Sequence, residues 1–227
     1  MGNRQIDAAG RQRARGVLAA AQIALTLALP VAAGLALSAL YRVTEGPLGF
    51  NPTHVLVGRV SLPENRYQDP ESRRQLVARI LARLDRLPSV KTAAATSVLP
   101  YSSNDGSASF WREDVPTLQA DATVVARRRA TPSSFAALEI PLLAGRMISS
   151  GDRHDGVRVA MVGQALAARF WPGEIALGKR FRIATDGPLI TVVGIVGEVT
   201  QDWLVDSLRP AFYLPFDQDP TRNFYVV

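Results

Sequence analysis

From Val17 to Tyr41 the chain reads VLAAAQIALTLALPVAAGLALSALY, an apolar run with no charged side chain, interrupted only by the polar Gln22, Thr26 and Ser38. At about 1.5 Å per residue it predicts a helix of roughly 37 Å, long enough to cross a hydrocarbon core of about 30 Å with some tilt. Pro30 sits inside the run, where it removes one backbone hydrogen bond and favours a kink. Glu45 to Pro52, EGPLGFNP, predicts a tight connector.

Beyond the connector the apolar positions become periodic. His54 to Leu62 alternates imperfectly and predicts a strand ended by Pro63. Asp69-Pro70-Glu71 is a helix start, and Leu76, Val77, Ile80, Leu81, Leu84 and Leu87 recur at helical spacing until Pro88. Arg73, Arg74, Arg79, Arg83 and Arg86 fill the remaining positions, which predicts a solvated basic face. Val90 to Val98 predicts a second strand, so strand, helix and strand favour an α/β layer. Tyr101 to Gln119 reads as a polar loop interrupted by Phe110 and Trp111, and Thr123 to Ala130 as an exposed strand, because Arg127, Arg128 and Arg129 are costly to bury. Thr131-Pro132-Ser133 caps a short helix through Leu138 that ends near Pro141.

A second block opens near Gly145. It predicts a strand over Val157 to Val162, a helix over Gln164 to Phe170 stopped at Trp171-Pro172-Gly173, and a hairpin from Lys179 to Val199 turning at Asp186-Gly187-Pro188. Phe212 to Phe216 and Asn223 to Val227 are two further strands, and the last, ending without turn or cap, is expected to belong to a truncated chain.

Charge adds a direction. The net charge is +6, and Arg4, Arg11, Arg13 and Arg15 against Asp7 place +3 in the first sixteen residues. Arginines immediately before a span hold that end in the cytoplasm, which puts residues 42–227 outside. A cleavable signal peptide with Ala36 and Ser38 before the cut is the rival. Its apolar core spans only about 7–15 residues, so the longer run favours a retained anchor. The absence of cysteine rules out disulfides and thiolate zinc sites.

Candidate chemistry is sparse. Gly173-Glu174-Ile175-Ala176-Leu177-Gly178-Lys179 fits seven positions of a phosphate-binding loop, but Arg180 stands where Ser or Thr must hold magnesium, and helix precedes strand rather than following it. His54 and His154 are the only histidines and are expected at the surface, with Asp152 and Asp155 beside His154 in a solvated turn. Trp111, Trp171 and Trp203 stand in unrelated contexts and read as packing or edge residues, and no aromatic–basic interleaving points to nucleic acid. No catalytic, cofactor-binding or metal-ligating residue is assigned.

In sequence order, Gly49-Phe50, Val60-Ser61-Leu62-Pro63 with Tyr67, Leu87-Pro88-Ser89-Val90, Leu99-Pro100, Ala130-Thr131-Pro132 with Phe135, and Ile140 to Arg146 with Asp152 form one series. It continues through Val159 to Val162, Ala165-Leu166-Ala167, Arg169 to Gly173, Leu177-Gly178-Lys179, Val192 to Gly197 and Pro210 to Tyr213. In this order they resemble ABC-transporter permeases of the MacB/FtsX type, particularly the duplicated permeases of soil bacteria. Gly163 departs from the pattern, since the family places Asn or another polar residue after this strand.

The resemblance implies an α+β fold: a basic cytoplasmic tail (1–16), one transmembrane helix (17–41) and a two-lobed α/β periplasmic domain (42–227). A porter-like lobe runs from Phe50 to about Ser133 with the returning end, and a smaller inserted lobe covers about 142–199. It also implies a non-catalytic subunit of the bacterial inner membrane with no cofactor, in a permease of four or more spans. A separate ABC nucleotide-binding protein hydrolyses ATP, and a second permease copy, the bilayer and a periplasmic adaptor are the expected partners. A singly anchored extracytoplasmic sensor or binding domain is the alternative, and a secreted enzyme a third reading if the leader is cleaved.

Overall fold

The computed structural model describes residues 3–45, 49–100, 106–115, 123–199 and 210–227. The chain forms two compact units, residues 1–47 and 48–227. The first is a single helix, α1 (Asn3–Glu45), so helix continues through the basic tail as well as the apolar run. Residues 15–41 make it long and apolar enough to cross a membrane. Between residues 17 and 41 its leucines, isoleucine and valines are exposed on every face, an arrangement that water does not support and lipid or packed helices do. The two hydroxyls among the polar interruptions are neutralised internally. Thr26 donates its hydroxyl to the Gln22 carbonyl and Ser38 to the Leu35 carbonyl at 2.9 Å, so neither hydroxyl is left bare in hydrocarbon.

The second unit contains β1 (Gly58–Ser61), α2 (Pro70–Leu84), β2 (Ala95–Thr96), β3 (Ser107–Arg112), β4 (Thr123–Ala130), α3 (Ser133–Ala137) and β5 (Leu142–Gly145). It continues with β6 (Val159–Gly163), α4 (Gln164–Phe170), β7 (Arg180–Arg182), β8 (Ile190–Val196), β9 (Ala211–Pro215) and β10 (Asn223–Val226). All ten strands belong to one connected sheet.

Six of these strands close on themselves. β4 pairs with β3, β3 with β7, β7 with β8, β8 with β6, β6 with β9, and β9 returns to β4 in parallel register from Ala126↔Ala211 to Ala130↔Pro215. Every strand of this ring sends apolar side chains into one shared core: Phe110, Val125, Val162, Phe181, Val192 and Phe212. The side chains therefore point inward and the ring is a small filled barrel. Aromatic rings dominate it, with Phe110 stacked on Phe181 at 4.5 Å between centroids and Phe181 edge-on to Phe212 at 5.2 Å. α4 adds Leu166 and is followed by the buried Trp171. Extended backbone takes the outward positions to the other side. Ala126, Ala130, Met161, Val196, Ala211 and Tyr213 form a second core beneath Phe135 of α3 and the segment around Ile140 and Ile148. Val193 is skipped between the β6–β8 pairs Ala160↔Val192 and Met161↔Gly194, a bulge that reverses the facing of β8 part-way along.

Of the other four strands, β5 pairs with β8, and β1, β10 and β2 extend the sheet from β4 through the pair Thr96↔Ala130. α2 covers them, packing Val77 with Ala95, Phe216 and Phe224. Asp69 caps the helix by accepting the Ser72 N–H, as its sequence predicts.

Several predicted elements differ. His54–Leu62 is strand only over Gly58–Ser61, because Asn51 Oδ1 accepts the Thr53 N–H and turns the chain, leaving His54 in the left-handed region at φ 61°. Val90–Val98 contributes only Ala95–Thr96, after Asp85 captures the Ala93 N–H at 3.0 Å. Phe110 and Trp111, read as interruptions of a loop, lie in β3, a barrel strand. β4 is central rather than exposed, with Arg128 only 2% accessible. β5, unpredicted, pairs with β8.

Candidate functional site

The most densely connected polar region lies where β9 turns into β10. Pro215 ends β9, its carbonyl accepts the N–H groups of Gln218 and Asp219, and Asp217-Gln218-Asp219-Pro220 forms the turn. Phe216 and Phe224 on either side are buried together at 5.6 Å beside Val77, which fixes the turn against the α2 lobe, that is α2 with β1, β2 and β10.

Each residue of the turn binds a different part of the domain. The Asp217 carboxylate accepts the backbone N–H of His154 at 2.7 Å and lies 3.4 Å from its Nδ1, while the Asp217 carbonyl accepts Arg74 Nε of α2 at 2.6 Å. Gln218 is 3% exposed. Its Oε1 accepts the Val159 N–H, its Nε2 donates to the carbonyls of Arg153 and Val157, and its own carbonyl accepts Arg158 Nη1. Asp219 accepts Arg129 Nε at 2.9 Å and stands 3.9 Å from Arg127, both on β4. The Pro220 carbonyl accepts Arg73 Nη1 of α2 at 2.7 Å. Burial pulls the Arg129 guanidinium below its ordinary value and Arg127 and Arg73 pull the same way, with Asp219 opposing them.

This seam explains how the arginines of β4 are accommodated in the middle of a sheet. Arg127 and Arg129 reach Asp219, and Arg128 lies under the Tyr213 ring, 5.6 Å from its centroid. It also divides the basic face predicted for α2. Arg73 and Arg74 are tied to the turn, whereas Arg79, Arg83 and Arg86 are exposed.

A second polar cluster surrounds Asp152. It is buried, not in a solvated turn, and accepts Arg146 through both oxygens at 2.7 and 2.8 Å and the Ser149 N–H at 2.8 Å. The Arg146 guanidinium holds its carboxyl below the usual range. Asp155 is paired with Arg153 on the surface at 3.5 Å.

The third feature is the start of α4. Gly163 occupies the N-cap and supplies no side-chain cap. The missing acceptor comes from Glu198, whose Oε2 accepts the Ala165 N–H at 2.9 Å. A Cβ on Gly163 would lie 3.2 Å from that oxygen, so the glycine leaves room for the borrowed cap. Burial pushes the Glu198 carboxyl up, and the Ala165 N–H and then Arg128 pull it partly back. On the backbone side of the same residue, Gly49 at φ 73° lies against the Glu198 carbonyl, closer than any Cβ allows.

The other sequence candidates do not converge. His54 is exposed and far along the chain from the His154–Asp217 contact. The segment resembling a phosphate-binding loop runs from α4 into β7, with Lys179 bound to Glu174 at 2.5 Å. Trp171 is buried in the barrel core, Trp111 is half-buried on β3, and Trp203 lies outside the described residues. A cavity of about 10 Å³ bordered by Thr96, Arg128, Ser134 and Tyr213 has room for about one water. Sequence reasoning passed over Asp217 to Pro220 altogether, although Asp-Gln-Asp-Pro directly after an apolar strand is a turn signature.

Solved structures similar to this chain at low identity include the following three. A domain ascribed to a permease protein of Porphyromonas gingivalis has 19% identity and a TM-score of 0.44, covering 64% of either chain. The extracellular domain of the noncanonic ABC-type transporter YknZ from Gram-positive bacteria has 15% identity and a TM-score of 0.48, covering 74% of this chain and 81% of that one. The periplasmic region of MacB from Actinobacillus actinomycetemcomitans has 11% identity and a TM-score of 0.48, covering 82% and 78%. This chain thus spans under two thirds of the first of these. No curated protein matches it. The model of the MacB-like periplasmic core domain matches residues 18–227, and the chain belongs to that family, the periplasmic domains of ABC-type transporter permeases.

Proposed function

We propose that this chain is the anchored extracytoplasmic part of an ABC permease that relays ATP-driven motion into export or extraction of a substrate. Nucleotide hydrolysis is carried by a separate cytoplasmic protein. The basic tail stays in the cytoplasm, residues 17–41 cross the inner membrane, and residues 42–227 work in the periplasm beside a second permease copy and a periplasmic adaptor. Within residues 42–227, a porter-like lobe from Phe50 to about Ser133 with the returning end and a lobe drawn from about 142–199 act together. The second of these supplies β6, β7 and β8 to the barrel.

The observation that carries the reading is the family match across the apolar helix and the folded unit together. The charge distribution supports the orientation, since +3 precedes the apolar run. The polar clusters support a mechanical rather than a chemical role, because Asp152, Asp217 and Asp219 are all engaged by arginine or backbone donors.

Thermal unfolding of the purified chain in detergent, with and without Mg-ATP, tests this. The expected Tm is the same in both, and the ATPase activity of the natural assembly stays with a co-purifying nucleotide-binding protein. A nucleotide-dependent rise in the Tm of the chain alone would overturn the relay reading.

A further inference from the structure

The turn from Asp217 to Pro220 touches α2, barrel strand β4 and the segment before barrel strand β6, elements that would separate if α2 with β1, β2 and β10 moved independently of the barrel. α2 enters through Arg73 and Arg74, β4 through Arg127 and Arg129, and the segment leading into barrel strand β6 through His154, Arg158 and Val159. We propose that this turn is a clamp that makes the α2 lobe and the barrel transmit force as one rigid body, with Gln218 and Asp219 as its positioning residues.

The argument rests on what opening would expose. Gln218 is buried, and its amide makes three hydrogen bonds, all to the backbone of residues 153–159. Rotation of the α2 lobe away from the barrel would carry the turn with it, since Phe216 and Phe224 are embedded beside Val77. It would then strip the Val159 N–H and two carbonyls of their partners, or else break the Phe216–Phe224 core. Asp219 adds a charged constraint. It meets Arg129 and Arg127 in a half-buried setting, and moving it away would leave two crowded guanidinium groups without their counter-ion. The lobe is also joined to β4 and α3 by the Thr96↔Ala130 pair and by the bonds of Ala95 to Thr131 and Ser134, but these gather at the single short strand β2. Hydrophobic contact elsewhere would allow sliding about that strand. Directional bonds from one turn to three elements do not.

The clamp deepens the permease reading and rests on it only for its use; the rigidity itself is a property of the chain. The lack of cysteine allows labels at chosen sites without background. In the full chain in lipid nanodiscs, pairs of exposed positions are changed to cysteine and spin-labelled. Arg83 with Ile175 reports between the lobe and the barrel, Arg59 with Arg83 within the lobe, and Val124 with Ile175 within the barrel. Double electron–electron resonance is expected to give one narrow distance for the Arg83–Ile175 pair. Q218A and D219N are expected to broaden that distribution or split it in two, while the two internal pairs stay narrow. A broad Arg83–Ile175 distribution in the unmodified background would overturn the clamp. So would narrow, unchanged distributions in both variants. Where Q218A also broadens the internal pairs, the isosteric D219N decides by the same criteria. None of these outcomes depends on a nucleotide-binding partner, so failure of the clamp and failure of the transport reading are separately visible.

Discussion

The barrel and the α2 lobe share one sheet but are stabilised in different ways. The barrel closes its hydrogen-bond ladder completely and fills its interior with Phe110, Phe181, Phe212 and Trp171. The α2 lobe has a four-residue edge strand, a two-residue inner strand and a core reduced to Val77, Ala95, Phe216 and Phe224. Closure makes the barrel self-sufficient, since every strand has two neighbours and no edge remains. The lobe has an open edge and a smaller core, so its position depends on directional bonds: the β2 bonds to β4 and α3 through Ala95, Thr96 and Ser97, and those of the turn at 217–220. Mechanical coupling in this domain is therefore assigned to hydrogen bonds, and folding stability mainly to packed rings.

The strongest way to break that contrast is to empty the barrel. Phe181→Ala removes a fully buried ring that contacts Phe110 and Phe212, and is expected to cost about 3–5 kcal/mol in denaturant unfolding. Hydrogen exchange in that variant should rise across β3, β4 and β6 to β9. Phe224→Ala, also fully buried, is expected to leave barrel amides protected and to expose chiefly those of β1, β2 and β10. Equal loss of protection in both regions would remove the distinction.

A smaller effect is expected at the seam. Gln218→Ala leaves the Val159 N–H and the carbonyls of Arg153 and Val157 without their partner and should cost about 1–3 kcal/mol. Exchange at Val159 should quicken before exchange at Val162 deeper in β6.

The buried Asp152 and the half-buried Glu198 sharpen the comparison through pH, with opposite signs. The Asp152 carboxyl is held below its ordinary value, so its pair with Arg146 contributes stability above the unfolded value near about pH 4. That contribution is lost as pH falls through the lower folded value. The Glu198 carboxyl is raised by burial, so its contribution is most favourable below the unfolded value and declines as pH rises through the folded one. Glu198→Gln keeps an acceptor for Ala165 and should raise Tm at neutral pH while flattening the slope just above about pH 4.3. Asp152→Asn should lower Tm at neutral pH and leave the acid limb shallower. An unchanged pH profile in either variant would reject the assigned role.

The smallest expected effect is at the start of α2, where Asp69→Ala removes the acceptor for Ser72 N–H and should cost about 1 kcal/mol, read by urea midpoint.

Local signals in the sequence were read well where the chain's own chemistry decides. The α2 cap at Asp69, the stop after Phe170 and the hairpin of β7 and β8 follow from capping, turn and alternation rules. Long-range chemistry was not legible. Nothing near Arg127 or Arg129 in sequence announces Asp219, about ninety residues on, so β4 reads as an exposed strand although it runs through the centre. Phe110 and Trp111 were hidden in the same manner, since a six-residue strand between polar stretches gains its partners only when β7 arrives. The borrowed cap shows the limit most clearly. Gly163 announces a missing acceptor, but only the fold brings Glu198 to it.

The most direct test of the central claim, an anchored helix holding this domain outside the cytoplasm, is cysteine accessibility in intact cells. Single cysteines in place of Ala8 and of the exposed Ile175 are reacted with a membrane-impermeant maleimide before and after permeabilisation, in a chain that has no other thiol. The account predicts that position 175 is labelled in cells with a permeable outer layer and an intact inner membrane, and that position 8 is labelled only once that membrane is opened. Labelling of position 8 and protection of position 175 in intact cells, or recovery of the chain from the soluble fraction cut within residues 17–41, would contradict it.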